Sequence, residues 1–192
     1  MDVWHGDARG FCQNDAVSQD PRTTRPAPDE AAEYYFKYID LVPAADVCAV
    51  LEQQLGATLA FLRNIPQERA KYRYAPDKWT VSGVVAHVND CERLFAFRAF
   101  WFARGFESAL PSFDQHTAAQ HDGADDWPLG RHIEEFASVR HASLELFSHL
   151  PEDAWLRRGI ASDNPFSVRA LAFIAAGHVI HHTNVLRDYY LP

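Results

Sequence analysis

The sequence has few cysteines, and their spacing argues against two common kinds of site. Its 192 residues include three, Cys12, Cys48 and Cys91, and no two of them form a Cys-x-x-Cys pair. An odd number of widely separated thiols suits neither a disulfide framework nor a zinc site built from paired thiolates. We therefore expect the chain in a reducing cytoplasm.

Clusters of basic residues and long apolar runs are also missing. The formal net charge is −8 and the lysines and arginines are dispersed, so the attraction that supplies most non-specific affinity for nucleic acids is absent. No run approaches the roughly 18 apolar residues of a membrane helix, and the first residues, MDVWHGDARGFCQND, do not resemble a secretion signal. The sequence thus predicts a soluble protein that binds neither nucleic acid nor membrane.

Apolar residues in helical patterns are abundant. Hydrophobic residues make up 47% of the chain, enough to fill one core. Residues 1–30 are polar, contain three prolines and show no period, which indicates an N-terminal extension before a single domain at 31–192. Apolar residues then recur at helical spacing in four segments. The predicted helices span 44–63, 81–105, 129–150 and 168–189.

Helix boundaries support this division. Thr80 and Ser167 are placed as N-caps of the second and fourth helices. Residues 105–127 form a connection long enough to cross the end of a bundle, where it could cover a site. No strand-like alternation competes with these helices. The predicted fold is therefore an all-α four-helix bundle.

Histidine carries the functional argument, with ten in the chain. His178 and His182 are four residues apart, one turn up the same apolar helix face and about 6 Å along the axis. His87 lies on the apolar seam of the second predicted helix. Taken alone, each is more often a core residue bonded to a carbonyl. Neighbouring buried imidazoles, however, leave ring nitrogens unpaired at about 1–3 kcal/mol each, and a shared metal ion removes that cost.

Two stretches resemble the DinB-like (YfiT-like) family. YAPDKWTVSGVVAHVNDCERLF is similar to the family's pattern of a Pro and a Trp, a capping Thr or Ser, and the first metal-binding histidine, which here is His87. RALAFIAAGHVIHHTNVL is similar to its last helix, where a histidine is followed three and four residues later by two more. His178 and His182 fall on its ligand positions. YYFKYIDLVP is similar to the start of one subfamily, so the resemblance extends over 31–192.

The resemblance implies a four-helix bundle, usually in up-down-down-up order and often dimeric, with a three-histidine site for nickel or zinc. An open site of this kind lowers the pKa of bound water to about 7, polarises carbonyls or binds a thiolate. Some members of the wider family act on low-molecular-weight thiols and others are hydrolases. We therefore expect a metal-dependent enzyme on a small molecule, with thiol S-transfer ahead of hydrolysis. The alternative is a non-catalytic metal-binding or stress-associated protein with a closed coordination shell.

Neighbouring residues leave alternatives open. His181 could pair with His178 in place of His182, although the resemblance favours His182 and a helix-interface hydrogen bond is the simpler role for His181. Cys91, one turn from His87, could reach the metal as a thiolate, but free cysteine is usually a small buried hydrophobe.

Other polar residues have simpler expected roles. Val179 stands where an HExxH zinc protease carries its glutamate, so peptidase activity is disfavoured. Asp90 and Glu92 could orient His87, although solvated surface charge is the commoner meaning of such residues. The remaining histidines near the long connection are expected to face solvent: His116, His121 and His132.

Overall fold

Four long helices form the bundle that the periodicity predicts. The computed structural model describes residues 20–191, so Cys12 and most of the predicted extension lie outside the described residues. The helices are α1 (Phe36–Ile39), α2 (Val47–Arg63), α3 (Val81–Ala103), α4 (Gln115–His121), α5 (Leu129–Ser148) and α6 (Val168–Val185), and a π-helical turn (Leu186–Tyr190) continues α6. Helices α2 and α3 each pack against both α5 and α6. The up-down-down-up order stays a prediction.

Side-chain caps determine where the long helices begin. Thr80 and Ser167 each accept a hydrogen bond from the backbone N–H three residues further on, at 2.9 and 3.0 Å, which confirms both predicted caps. Helix α2 begins at Val47, three residues later than predicted. The reason is Asp46, whose carboxylate accepts a backbone N–H at 2.8 Å and acts as the cap.

A β-hairpin precedes α6, and the expectation of no strands was wrong. Strand β1 (Arg158–Ala161) pairs antiparallel with β2 (Asn164–Ser167). Ser162 and Asp163 both have positive φ, 51° and 59°, which makes the turn. Such turns usually contain glycine, which this one lacks, so its residue types do not predict a hairpin. The turn also fastens the long connection, because Ser162 N–H donates to the Leu110 carbonyl at 3.1 Å.

Helix α1 lies unusually close to α6. An added Cβ at Gly177 would be 2.0 Å from the backbone oxygen of Tyr38, well inside contact distance. Only glycine therefore permits this approach. The close packing seats the Tyr38 ring against His178, with ring centroids 5.2 Å apart.

The described part of the predicted extension is anchored to α6. Glu30 is buried, and its carboxylate accepts hydrogen bonds from Arg169 and, at 2.6 Å, from the Ser167 hydroxyl. Burial alone would raise the pKa of Glu30, but these bonds outweigh it and lower the pKa to about 2. The boundary between extension and domain stays a prediction. Within residues 20–191, no helix is both long and apolar enough to span a bilayer.

Candidate metal centre

The three predicted ligands meet where α3 packs against α6. His87 Nε2 lies 3.2 Å from His178 Nε2. A ligand atom from His182 joins them, all three lying within 4.8 Å of one another. Two imidazole nitrogens on one tetrahedral ion, each bound at 2.0–2.1 Å, would be about 3.3 Å apart. The separation of the first pair therefore fits a shared ion.

Small residues in α6 allow this convergence. Ala175, Ala176 and Gly177 are buried immediately before His178, so neighbouring helices approach α6 closely. On the other side, the Trp79 ring packs on His87 with centroids 4.7 Å apart. The sequence analysis did not assign Trp79 this contact. The imidazoles are thus enclosed by rigid, mainly apolar packing.

Burial keeps these histidines neutral. Loss of hydration, with smaller contributions from the nearby His181 and His116, lowers the pKa of His87 to about 4. Burial also holds the pKa values of His178 and His182 well below 6.5. Metal ligation requires neutral imidazole, so the site is prepared for a cation at neutral pH.

One ring nitrogen gives a further test of whether the cluster fits a bound metal ion. Nδ1 of His182 is buried without a hydrogen-bond partner among the described residues. Leaving such a group unpaired costs about 1–3 kcal/mol. The donor set and this orphaned atom both fit a bound divalent ion.

The neighbouring residues lie beside the cluster and not within it. Cys91 Sγ is 3.6 Å from His87 Nε2, and burial raises the pKa of the thiol to about 12, so it stays protonated. The His181 ring is half-buried and packs edge-on against Tyr38, with centroids 5.3 Å apart. The placement of Cys91 matches the simpler role expected of it, whereas the helix-interface hydrogen bond expected of His181 stays a prediction.

Two expectations of solvent exposure were wrong. Glu92 is buried and forms a bidentate ion pair with Arg140, both N···O distances being 2.9 Å. His132 is buried, and its Nε2 lies 3.0 Å from the Ala124 carbonyl. Both have polar partners from other elements, and these hydrogen bonds offset the desolvation cost of burying a polar group. His116 and His121 are exposed, as predicted.

A cavity of about 260 Å³ opens beside the histidines. His87 and His178 line it together with three tyrosines, Tyr34, Tyr35 and Tyr38. Residues 113–115 of the long connection form part of its wall. A larger groove of about 510 Å³ lies elsewhere, lined by charged residues of α3 and α5, and contains none of the three clustered histidines. We therefore assign the ligand space to the smaller cavity.

Arg98 is a cavity residue that the sequence analysis missed. It lies on α3 eleven residues after His87, and three helical turns place both side chains on one face. That spacing was the available signal.

Comparison with known proteins agrees with this architecture. The family model of the DinB superfamily matches residues 50–186. The chain belongs to the DinB superfamily. Comparison with curated proteins gives no significant match.

Two solved structures share the fold of this DinB superfamily member. YfiT from Bacillus subtilis is described as a probable metal-dependent hydrolase with an unusual four-helix bundle topology. It aligns with a TM-score of 0.66 and 15% identity over 86% of this chain and 91% of YfiT. A mycothiol-dependent maleylpyruvate isomerase aligns with a TM-score of 0.63 and 11% identity over 76% of this chain and 61% of its own. At these identities the likeness establishes the fold.

Proposed function

We propose that this protein binds one divalent metal ion, zinc or nickel, through His87, His178 and His182, and that it is a metal-dependent enzyme acting on a small molecule. The observation that carries the proposal is the convergence of three neutral imidazoles beside a cavity, those of His87 and His178 buried and that of His182 half-buried. When bound, such an ion supplies a Lewis acid and lowers the pKa of a water or thiol beside it.

Two tyrosines at the cavity are suited to proton handling. The Tyr34 and Tyr38 hydroxyls are 3.5 Å apart, and the Lys37 ammonium lies 3.7 Å from the centre of the Tyr34 ring. Burial opposes ionisation of Tyr34, but Lys37 and Tyr38 outweigh it and lower its pKa. Burial raises the pKa of Tyr38, which therefore stays a donor. Tyr34 is the better acid–base group of the two.

Thiol S-transfer is the reaction that we place first. The sulfur of a thiol would bond to an electrophilic carbon of a second substrate, while the bond from that carbon to a leaving group breaks. The thiol proton would end on the leaving group, and Tyr34 is placed to relay it. The mycothiol dependence of one structural neighbour supports this choice. Hydrolysis is second, supported by the description of YfiT.

A non-catalytic metal site is the alternative function, and it would need a fourth protein ligand. Among the described residues the cluster offers three. Cys91, the nearest further candidate, is not part of that cluster, although its Sγ lies 3.6 Å from His87 Nε2. The adjoining cavity supports an open coordination position and therefore favours catalysis.

Metal analysis of purified variants tests the proposal. We expect about one equivalent of metal in the wild-type protein and loss of it in His87→Ala, His178→Ala and His182→Ala. His181→Ala is the matched control, a neighbouring histidine of α6 outside the cluster, and should keep the metal. If the wild-type protein contains no metal and all variants fold as it does, the metal proposal is refuted and these histidines have only a structural role. A loaded protein inert toward thiol–electrophile pairs and esters would support the non-catalytic alternative.

A further inference from the structure

Arg98 lines the same cavity as His87 and His178 yet is 1% exposed. Eleven residues separate it from His87 on α3, which is about 16 Å along the helix axis. Side chains of a helix lean toward its N-terminus, so the guanidinium extends back toward the histidines. The cavity is therefore bordered by a fixed positive charge as well as by the imidazole cluster.

Among residues 20–191, the charge of Arg98 has no partner of opposite sign. Its Nη2 donates to Ser162 Oγ at 2.8 Å and to the Pro111 carbonyl at 3.3 Å, both neutral groups. Its Nε has no hydrogen-bond partner in the described part of the chain. By contrast, Arg140 is equally buried and has the bidentate carboxylate of Glu92. Burying a charge without a counter-charge costs free energy, and an anion bound to this guanidinium would offset that cost.

The other polar groups of the cavity do not supply that anion. Asp114 also lines the cavity, but its carboxylate caps α4 by accepting the N–H groups of His116 and Thr117, at 2.8 and 3.3 Å. The Tyr35 hydroxyl stays protonated, because burial raises its pKa although Arg98 opposes this. Since no carboxylate among residues 20–191 pairs with Arg98, we expect a ligand to supply the anion.

We propose that Arg98 binds the carboxylate of the substrate, and that this DinB protein therefore acts on small carboxylic acids. The planar fork of a guanidinium matches a carboxylate in geometry, and such charge-assisted pairs are among the stronger hydrogen bonds in proteins. The position of the reacting atom beside the histidines rests on the proposed function; carboxylate binding at Arg98 does not. The competing explanation is that Arg98 only tethers the hairpin turn to α3 through Ser162 and Pro111.

The experiment compares acids with alcohols of equal length. In cobalt-loaded protein, straight-chain ω-mercaptocarboxylates and the matching ω-mercaptoalcohols are titrated while the thiolate-to-cobalt absorption is followed. At the best chain length we expect the acid to bind about tenfold to a hundredfold more tightly, because its charged hydrogen bonds form in a buried site. Arg98→Gln should abolish this preference, and Arg98→Lys should keep part of it. Equal binding of acid and alcohol by wild-type protein would leave Arg98 as a tether and overturn the proposal.

Controls separate this proposal from the metal site. Arg158→Gln removes an exposed arginine of the same hairpin, paired with Asp29 at 2.9 Å, and should leave the preference unchanged. Hexanoate and hexanol are also titrated into metal-free protein by calorimetry. A preference for hexanoate that requires Arg98 would sustain the proposal even where cobalt does not bind, which would defeat the proposed function alone. Absence of that preference in metal-free and cobalt-loaded protein alike would overturn the Arg98 proposal whatever the metal result.

Discussion

The contact between α1 and α6 makes Gly177→Ala the sharpest test of the packing. In a helix interior, replacing glycine by alanine stabilises by about 1 kcal/mol. At Gly177 the new Cβ would lie 2.0 Å from the Tyr38 oxygen, a backbone atom that cannot rotate away. Overpacking typically costs 1–3 kcal/mol, and a backbone clash belongs at the upper end, about 3 kcal/mol. The net expectation is a loss of about 2 kcal/mol.

Gly56→Ala in α2 is the matched control, because nothing lies within 4 Å of its added Cβ. That variant should gain up to about 1 kcal/mol, which separates the two by about 3 kcal/mol. Urea unfolding followed by far-ultraviolet circular dichroism measures both. Equal stability of the two variants would refute the close approach of α1 to α6. It would also remove the reason for placing Tyr38 against His178.

Two further predictions concern buried charge. With a chelator present, the free energy of unfolding should fall as pH is lowered from about 7 to 4, because unfolded histidines titrate near 6.5 whereas His87 titrates at about 4. His87 alone accounts for about 3 kcal/mol, so His87→Gln should flatten the urea-measured pH profile, and an unchanged slope would contradict its burial as neutral imidazole. Glu92→Gln should lower the free energy of unfolding by about 3–5 kcal/mol, because it leaves the Arg140 charge buried without a counter-charge. Asp77→Asn, at an exposed pair with Lys78, should leave the urea midpoint nearly unchanged because water screens that pair. Comparable urea midpoints for Glu92→Gln and Asp77→Asn would argue against the buried pair.

Local signals were sufficient for most of the bundle. The 3.6-residue period and the hydroxyl caps at Thr80 and Ser167 act over one or two turns, so they can be read from neighbouring residues. The start of α2 was placed three residues early because the Asp46 side chain, and not the apolar period, sets that boundary. The hairpin was missed because its turn uses Ser162 and Asp163 in place of glycine.

Burial of polar residues was the harder problem. The residues of α3 alone predict that Glu92 is exposed. The ion pair with Arg140, 48 residues away, is what stabilises it in the buried position. His132 likewise depends on a carbonyl from another segment. Partners supplied by other elements leave no pattern within the helix itself, so the expectation of exposure failed at both positions.

The sequence alone determined the helical class, the caps at Thr80 and Ser167 and, through the family resemblance, the three histidines as candidate ligands, because periodicity and motif spacing act within single helices. Tertiary structure decided that His87 from α3 meets His178 and His182 from α6, and that a cavity opens beside them. It also decided that Arg98 is buried there without a counter-charge in the described part of the chain. These features arise where separate helices pack together. The free-energy cost of burying a charge or an unpaired nitrogen depends on the polar groups that every neighbouring element places around it.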